Sequence, residues 1–80
     1  MVWTIFENTE EADGVRRWCF FVLLKGKRPS QGARPFVSGV WLIGDDPAAD
    51  LAGKQLFEAG RAAADAEAAR LNRAGQPPRR

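Results

Sequence analysis

The segment from Trp18 to Leu24 constrains the fold more than any other, because it holds seven apolar residues in a row and no polar one. Successive side chains of a β-strand point to opposite faces of its sheet, so a strand covered on one side alternates apolar and polar residues. This strand presents apolar side chains to both faces. A chain of 80 residues has room for one small core. We therefore expect surplus apolar strand surface that contacts a partner.

The sequence predicts three β-strands in the first half of the chain. Residues 2–7 are rich in β-branched and aromatic residues and predict the first strand. Residues 8–14 are polar and acidic and end in Asp-Gly, which predicts a loop and a turn. The second strand is predicted over about residues 15–25. A loop over 26–35, with two glycines and two prolines, separates it from a third strand over about 36–43.

Two features of these strands stay open in the sequence. Gly39 predicts a bulge, a bend or a point where a bulky neighbour packs over the backbone. The sheet face opposite the helix is expected to meet another chain, but the sequence does not determine which residues form that face and which face the helix. One possible set is Trp18, Phe20, Val22, Val40 and Leu42, and the alternate set is Phe21, Leu23, Trp41 and Ile43.

One long helix is predicted to follow. Asp46 is a suitable N-cap and Pro47 suits the first helical position. The alanine-rich sequence continues the helix to about Ala74, and Gly75 with two prolines after it predicts the stop. Among the residues of its apolar face, we expect Leu56, Phe57 and Leu71 to make the main contacts with the sheet. That face is predicted to comprise Leu56, Phe57, Ala59, Gly60, Ala63, Ala64, Ala68 and Leu71.

These elements predict an α+β fold. A three-stranded antiparallel meander is followed by one C-terminal amphipathic helix that packs on one face, in the order β-β-β-α. We expect a single domain over residues 1–75 and a disordered basic tail over 76–80.

The residues that catalysis and metal binding usually need are scarce. The chain has no histidine and one cysteine, Cys19, which removes the commonest general base and leaves no disulfide or multi-cysteine zinc site. Asp45, Asp46 and Asp50 lack the alternating spacing of a calcium loop. No glycine pattern matches a phosphate-binding loop. We predict a protein that is not an enzyme, with no catalytic residue, metal site, cofactor or small-molecule substrate.

A basic loop is the best candidate for a binding site. Four cations lie between residues 25 and 34 with no acid among them, an arrangement that suits phosphate oxygens or an acidic protein. Aromatic residues on the adjoining strands are of the type that stacks on bases. The alternative is a solvated hairpin tip with those aromatics in the core. The candidate partner-binding residues are Lys25, Lys27, Arg28, Arg34, Trp18, Phe20 and Trp41.

We expect a small non-catalytic binding protein, of inhibitor or accessory type, that acts through a macromolecular interface. The partner is a protein, either another protein or a second copy of the chain. Size and composition are compatible with a phage or mobile-element protein that blocks a nucleic-acid-handling defence complex. The alternative is a nucleic-acid-binding module that uses the basic loop and the strand aromatics. With no secretory signal and no apolar run near the ~20 residues that span a bilayer, we expect a cytoplasmic protein with no membrane contact.

Overall fold

The computed structural model describes residues 2–74 and contains three strands and one helix. These are β1 (Trp3–Ala12), β2 (Val15–Leu24), β3 (Val37–Leu42) and α1 (Pro47–Ala74). The strands form one antiparallel sheet in the order β1-β2-β3, and α1 packs on it. The predicted β-β-β-α architecture is confirmed. The predictions of a helix stop at Gly75 and of a disordered tail over 76–80 lie outside the described residues.

The first hairpin is longer than predicted, and the predicted acidic loop over residues 8–14 is wrong. The φ angles of Asp13 and Gly14 are 54° and 74°, and positive values at both central residues are what a two-residue type I′ turn requires. This tight turn extends the pairing of β1 with β2 along the acidic segment. Glu11 then lies opposite Arg16, whose Nε donates a hydrogen bond of 2.6 Å to its carboxylate. Opposite charges across the strands stabilise the extension.

The start of α1 is confirmed in detail. The Asp46 carboxylate accepts a hydrogen bond of 3.0 Å from the Ala48 N–H, and the Asp46 carbonyl accepts one of 3.0 Å from the Asp50 N–H. Pro47 is the first helical residue, where the N–H that it lacks would have no partner within the helix.

The core is built around one tryptophan ring. Trp18 is 3% exposed and Phe20 is fully buried, and Phe57 of α1 packs against both rings. Gly60 lies against Trp18 so closely that a Cβ atom there would be 2.6 Å from the ring. Gly39 of β3 lies against the same ring. The prediction that a bulky neighbour packs over Gly39 is therefore confirmed.

The helix meets the sheet through its smallest residues. The buried positions Gly53, Gly60, Ala64 and Ala68 are seven and four residues apart, with half-buried Phe57 and Leu71 on the same face. The prediction for Leu56 is wrong, because its side chain is 60% exposed. Because the aromatic rings of the sheet fill the core, the glycine and alanine residues of α1 face the sheet. Leu56 lies beside this contact and not within it.

The strand register decides which residues share a face, and both predicted sets are wrong. Trp18 pairs with Gly39, so odd-numbered residues of β3 share a face with even-numbered residues of β2. The face under α1 therefore combines Trp18 and Phe20 with Trp41. The outer face of the sheet, on the side away from α1, carries Phe6, Phe21, Leu23, Val40 and Leu42.

Candidate interaction site

The four cations of the basic loop are all exposed on the connection between β2 and β3. Two backbone hydrogen bonds shape this connection, from the Lys27 N–H to the Leu24 carbonyl and from the Ala33 N–H to the Ser30 carbonyl, each 3.0 Å long. Neither of the two ion pairs found among residues 2–74 involves a loop cation. Lys25, Lys27, Arg28 and Arg34 therefore present their charges to solvent.

The three aromatic residues predicted to join them are placed elsewhere. Trp18 and Phe20 lie beneath α1 in the core, so a partner cannot reach them and their assignment to the binding site is corrected. Trp41 is half-buried, its Nε1–H donates a hydrogen bond of 3.0 Å to Asp50, and the Arg16 guanidinium lies 4.8 Å from its ring centroid. These three rings pack in or against the core and form no stacking surface beside the loop.

A different aromatic residue accompanies the cations. Phe36 is 48% exposed and ends the loop just before β3. Because Val37 pairs with Phe20, β2 extends beyond the start of β3 and leaves an open cleft. This loop cleft has a volume of about 300 Å³, and its lining is mainly apolar. The residues that line the loop cleft are Phe21, Val22, Leu23, Ala33, Arg34, Phe36, Glu67 and Leu71.

The charge balance of the loop cleft is basic. Its one acid, Glu67, accepts two hydrogen bonds from the Arg70 guanidinium, of 2.7 and 2.8 Å. These bonds, aided by the charge of Arg70, hold the pKa of Glu67 below its ordinary value, so the carboxylate is ionised and already paired. Arg34 lies on the rim without such a partner among the described ion pairs. The loop cleft therefore combines an apolar lining with an unneutralised cation.

The opposite end of the sheet is acidic. The Ile43 N–H donates a hydrogen bond of 2.7 Å to the Gly14 carbonyl, which holds the end of β3 beside the first hairpin turn. Asp13 in that turn and Asp45 and Asp46 after β3 are all exposed. The molecule therefore carries its basic loop at one end of the sheet and a group of carboxylates at the other.

Cys19 lies on the outer face, in the depression that also includes Asn8, Glu10, Arg17 and Ser38. Partial burial, and secondarily the charge of Glu10, raise the pKa of its thiol. The thiolate is the nucleophilic form of cysteine, so this environment disfavours reactivity at neutral pH.

Comparison with protein-family models, curated proteins and solved structures finds no significant match to this chain. Among residues 2–74, no group of three or more histidine, cysteine or acidic residues is arranged to hold a metal ion. The helix of this part of the chain is not apolar enough over a sufficient length to cross a membrane.

Sequence reasoning found the cations of this site and missed its apolar part. The sequence predicts Phe36 in a strand, where its side chain can be buried, and predicts Leu71 on the helix face that contacts the sheet. The available signal was the position of Phe36 directly after Arg34 and Pro35. Leu71 could not be associated with it, because only the packing of α1 brings the two residues to one cleft.

Proposed function

We propose that this chain is a small non-catalytic binding protein, of inhibitor or accessory type, that docks through the loop cleft onto an acidic surface of another protein. The observation that carries the proposal is the exposed Phe36 beside an apolar cleft with Arg34 on its rim. Binding energy in protein interfaces concentrates in a few apolar or aromatic anchors seated in pockets. The loop cleft offers such a seat.

The charges around the loop cleft specify the chemistry of the partner. Lys25, Lys27 and Arg28 are exposed on the same loop as Arg34. Like-signed charges grouped at one end of a molecule steer association with a partner of opposite sign. We therefore expect an apolar side chain of the partner to enter the loop cleft while carboxylates around it face the cations.

The size of the loop cleft also favours a protein partner. Its volume of about 300 Å³ is at the lower limit of pockets that hold small molecules. An apolar side chain on a protein surface needs less enclosure, because the surrounding interface excludes water. The raised pKa of the Cys19 thiol supports the non-catalytic part of the proposal, since the strongest nucleophile in the sequence is held in its protonated form.

Nucleic-acid binding is the second candidate, and one observation favours it. Phe36 is an exposed aromatic ring two residues from Arg34, and single-strand binders combine stacking rings with cations. The other aromatics proposed for stacking are buried or engaged. The acidic end of the molecule would repel a long polyanion. We therefore place an acidic protein first.

The test is quantitative capture of proteins from a lysate of the source organism, followed by binding of the purified candidate. Phe36→Asp removes the exposed ring that lines the loop cleft, and the double variant Lys27→Glu, Arg28→Glu reverses the loop charge. Leu51→Asp is the matched control for the first, because Leu51 is equally apolar and exposed but lies near the start of α1. Lys54→Glu with Arg61→Glu, two exposed helix cations, is the control for the second.

We expect the purified partner to bind the wild-type chain and both controls alike. Phe36→Asp should weaken the affinity at least tenfold, and the loop reversal should mainly slow association and reduce its salt dependence. A partner that binds Phe36→Asp as well as wild type contradicts the proposal. Tight binding of a single-stranded oligonucleotide, with affinity that falls steeply as salt is raised, would instead establish the nucleic-acid alternative.

A further inference from the structure

The two edges of the sheet differ in how their backbone groups are covered and in the charges beside them. At the β1 edge, the Trp3 N–H donates a hydrogen bond of 2.6 Å to Asn72 Oδ1, and Asn72 Nδ2 donates one of 3.0 Å to the Trp3 carbonyl. The amide of Asn72 thus occupies the place of a neighbouring strand. Further along β1, Glu7 and Glu11 are exposed. Charges and covering groups on an edge strand prevent pairing with another chain.

The β3 edge has no such protection. Val37–Leu42 contains no charged residue. The Ile43 N–H points toward the hairpin, where it bonds to Gly14, and backbone groups of alternate residues in an antiparallel strand point in opposite directions. Ser38, Val40 and Leu42 therefore direct their N–H and C=O groups to the open side of β3.

An apolar groove accompanies this open edge. It has a volume of about 280 Å³ and lies between β3 and the side of α1. Leu56, the side chain that the core leaves out, lines it together with the smaller Ala59 and Ala63. A strand added beside β3 would pass under these three residues, so backbone pairing and apolar burial would occur together.

We propose that two copies of this chain pair through β3, antiparallel, to form one six-stranded sheet with both helices on the same face. Val40 lies opposite Val40 of the second copy on a two-fold axis, and Ser38 lies opposite Leu42. This register pairs every outward-directed backbone group of β3. The small Ala59 and Ala63 allow the two helices to approach each other above the joined edge.

Charge complementarity supports a second copy as the occupant. Arg34 lies six residues before Val40 and Asp46 lies six residues after it. The antiparallel register that centres on Val40 therefore brings the basic end of one copy beside the acidic end of the other. Lys25, Lys27 and Arg28 lie farther from the axis and remain available. The proposal rests on the β3 edge and not on the proposed function, although it uses Arg34, which also lines the loop cleft.

Sedimentation of the purified chain tests the pairing. We expect the wild type to sediment with twice the mass of one chain at micromolar concentration. Val40→Lys places two like charges face to face on the axis, and Leu56→Lys places a charge in the groove on the other side of the sheet. Each should raise the dissociation constant at least tenfold. Thr4→Lys, at an exposed position of β1, is the matched control and should leave it unchanged.

Each outcome decides the question. A wild type that is monomeric at micromolar concentration overturns the proposal. A dimer that Val40→Lys weakens and Leu56→Lys does not would pair through the outer face, which also overturns it. Circular dichroism of each variant shows whether its monomer is folded.

Crosslinking tests the register without relying on a destabilising charge. In a Cys19→Ser background, Val40→Cys should form an intermolecular disulfide under mild oxidation, because hydrogen-bonded antiparallel pairs have Cα atoms about 5.5 Å apart, within disulfide range. A mixture of Ser38→Cys and Leu42→Cys chains should crosslink to each other more than either does to itself. Thr4→Cys is the control. Equal crosslinking of all variants would contradict the register.

Discussion

Gly60→Ala should destabilise the wild-type protein but stabilise a variant in which the neighbouring ring of Trp18 is replaced by a smaller one. On an exposed helix surface, replacing glycine by alanine stabilises a protein by about 1 kcal/mol. At Gly60 the new methyl group would lie 2.6 Å from Trp18 Cη2 and Cζ3. Carbon atoms in contact are normally about 3.5–4.0 Å apart, so the ring or the helix must move by about 1 Å.

The surroundings leave the ring little freedom to move. Trp18 is 3% exposed and lies between Gly60 of α1 and Gly39 of β3. An added methylene in a well-packed core typically costs about 1–3 kcal/mol. Set against the gain in helix propensity, this predicts that Gly60→Ala destabilises the wild type by about 1 kcal/mol.

Replacing Trp18 by phenylalanine removes the part of the indole that the new methyl group meets. In the Trp18→Phe background we therefore expect Gly60→Ala to be stabilising by up to about 1 kcal/mol, which gives a coupling energy near 2 kcal/mol. Urea unfolding followed by circular dichroism measures the free energy of unfolding of the wild type, the two single variants and the double variant. Ala69→Gly, the reverse change at an exposed helix position, is the control and should have the same effect in both backgrounds. Equal effects of Gly60→Ala in both backgrounds would refute the packing argument.

Two further predictions concern the β1 edge and the outer face. Asn72→Ala removes two hydrogen bonds to Trp3, each worth about 0.5–1.5 kcal/mol, so the free energy of unfolding should fall by about 1–3 kcal/mol. Unchanged amide exchange at Trp3 would contradict this. Alkylation of Cys19 should have its pH midpoint above that of a thiol in the unfolded chain, because burial and then Glu10 raise its pKa. Glu10→Gln removes the smaller cause and should shift the midpoint downward, and a midpoint that does not move would show that Glu10 has no influence.

The order of elements could be read from the sequence because its signals are local. Asp46 and Pro47 specify the helix start within two residues, and Asp13-Gly14 specifies the hairpin turn. The length of β1 could not be read in the same way. Residues 8–12 have the composition of a loop, and only their position opposite β2, with Glu11 beside Arg16, makes them a strand.

The faces of the sheet needed information that no single segment contains. Alternation assigns the residues of each strand to two faces, but the relation between strands depends on register, which the contact of Trp18 with Gly39 fixes. The helix face was misjudged for a related reason. Leu56 is the more apolar side chain, yet Trp18 and Phe20 already fill the core, so glycine and alanine fit between helix and sheet and Leu56 does not.

The cations of the candidate site were predicted correctly as an exposed group, since a run of charges without an apolar partner stays in water wherever the chain folds. The aromatic residues were not, because a run that is apolar on both faces does not show which side the helix will cover. In the structure, the aromatic residue exposed at the site is Phe36 and not a residue in the core part of β2. Phe36 directly precedes β3, where the end of β2 extends beyond its pairing with β3.

Both proposed surfaces stay exposed because of the small residues through which α1 packs on the sheet. A helix that packs through glycine and alanine lies close to the sheet, so it encloses Trp18 and Phe20 well but reaches little beyond them. Phe36, Leu42 and Leu56 are left exposed. Phe36 lines the loop cleft, Leu42 lies on the outer face of the sheet and Leu56 lines the groove beside β3. The groove beside β3 and the loop cleft have different linings, so the proposed dimer would carry two loop clefts related by its two-fold axis. A partner with repeated sites would then bind the pair more tightly than a single copy, through effective concentration alone.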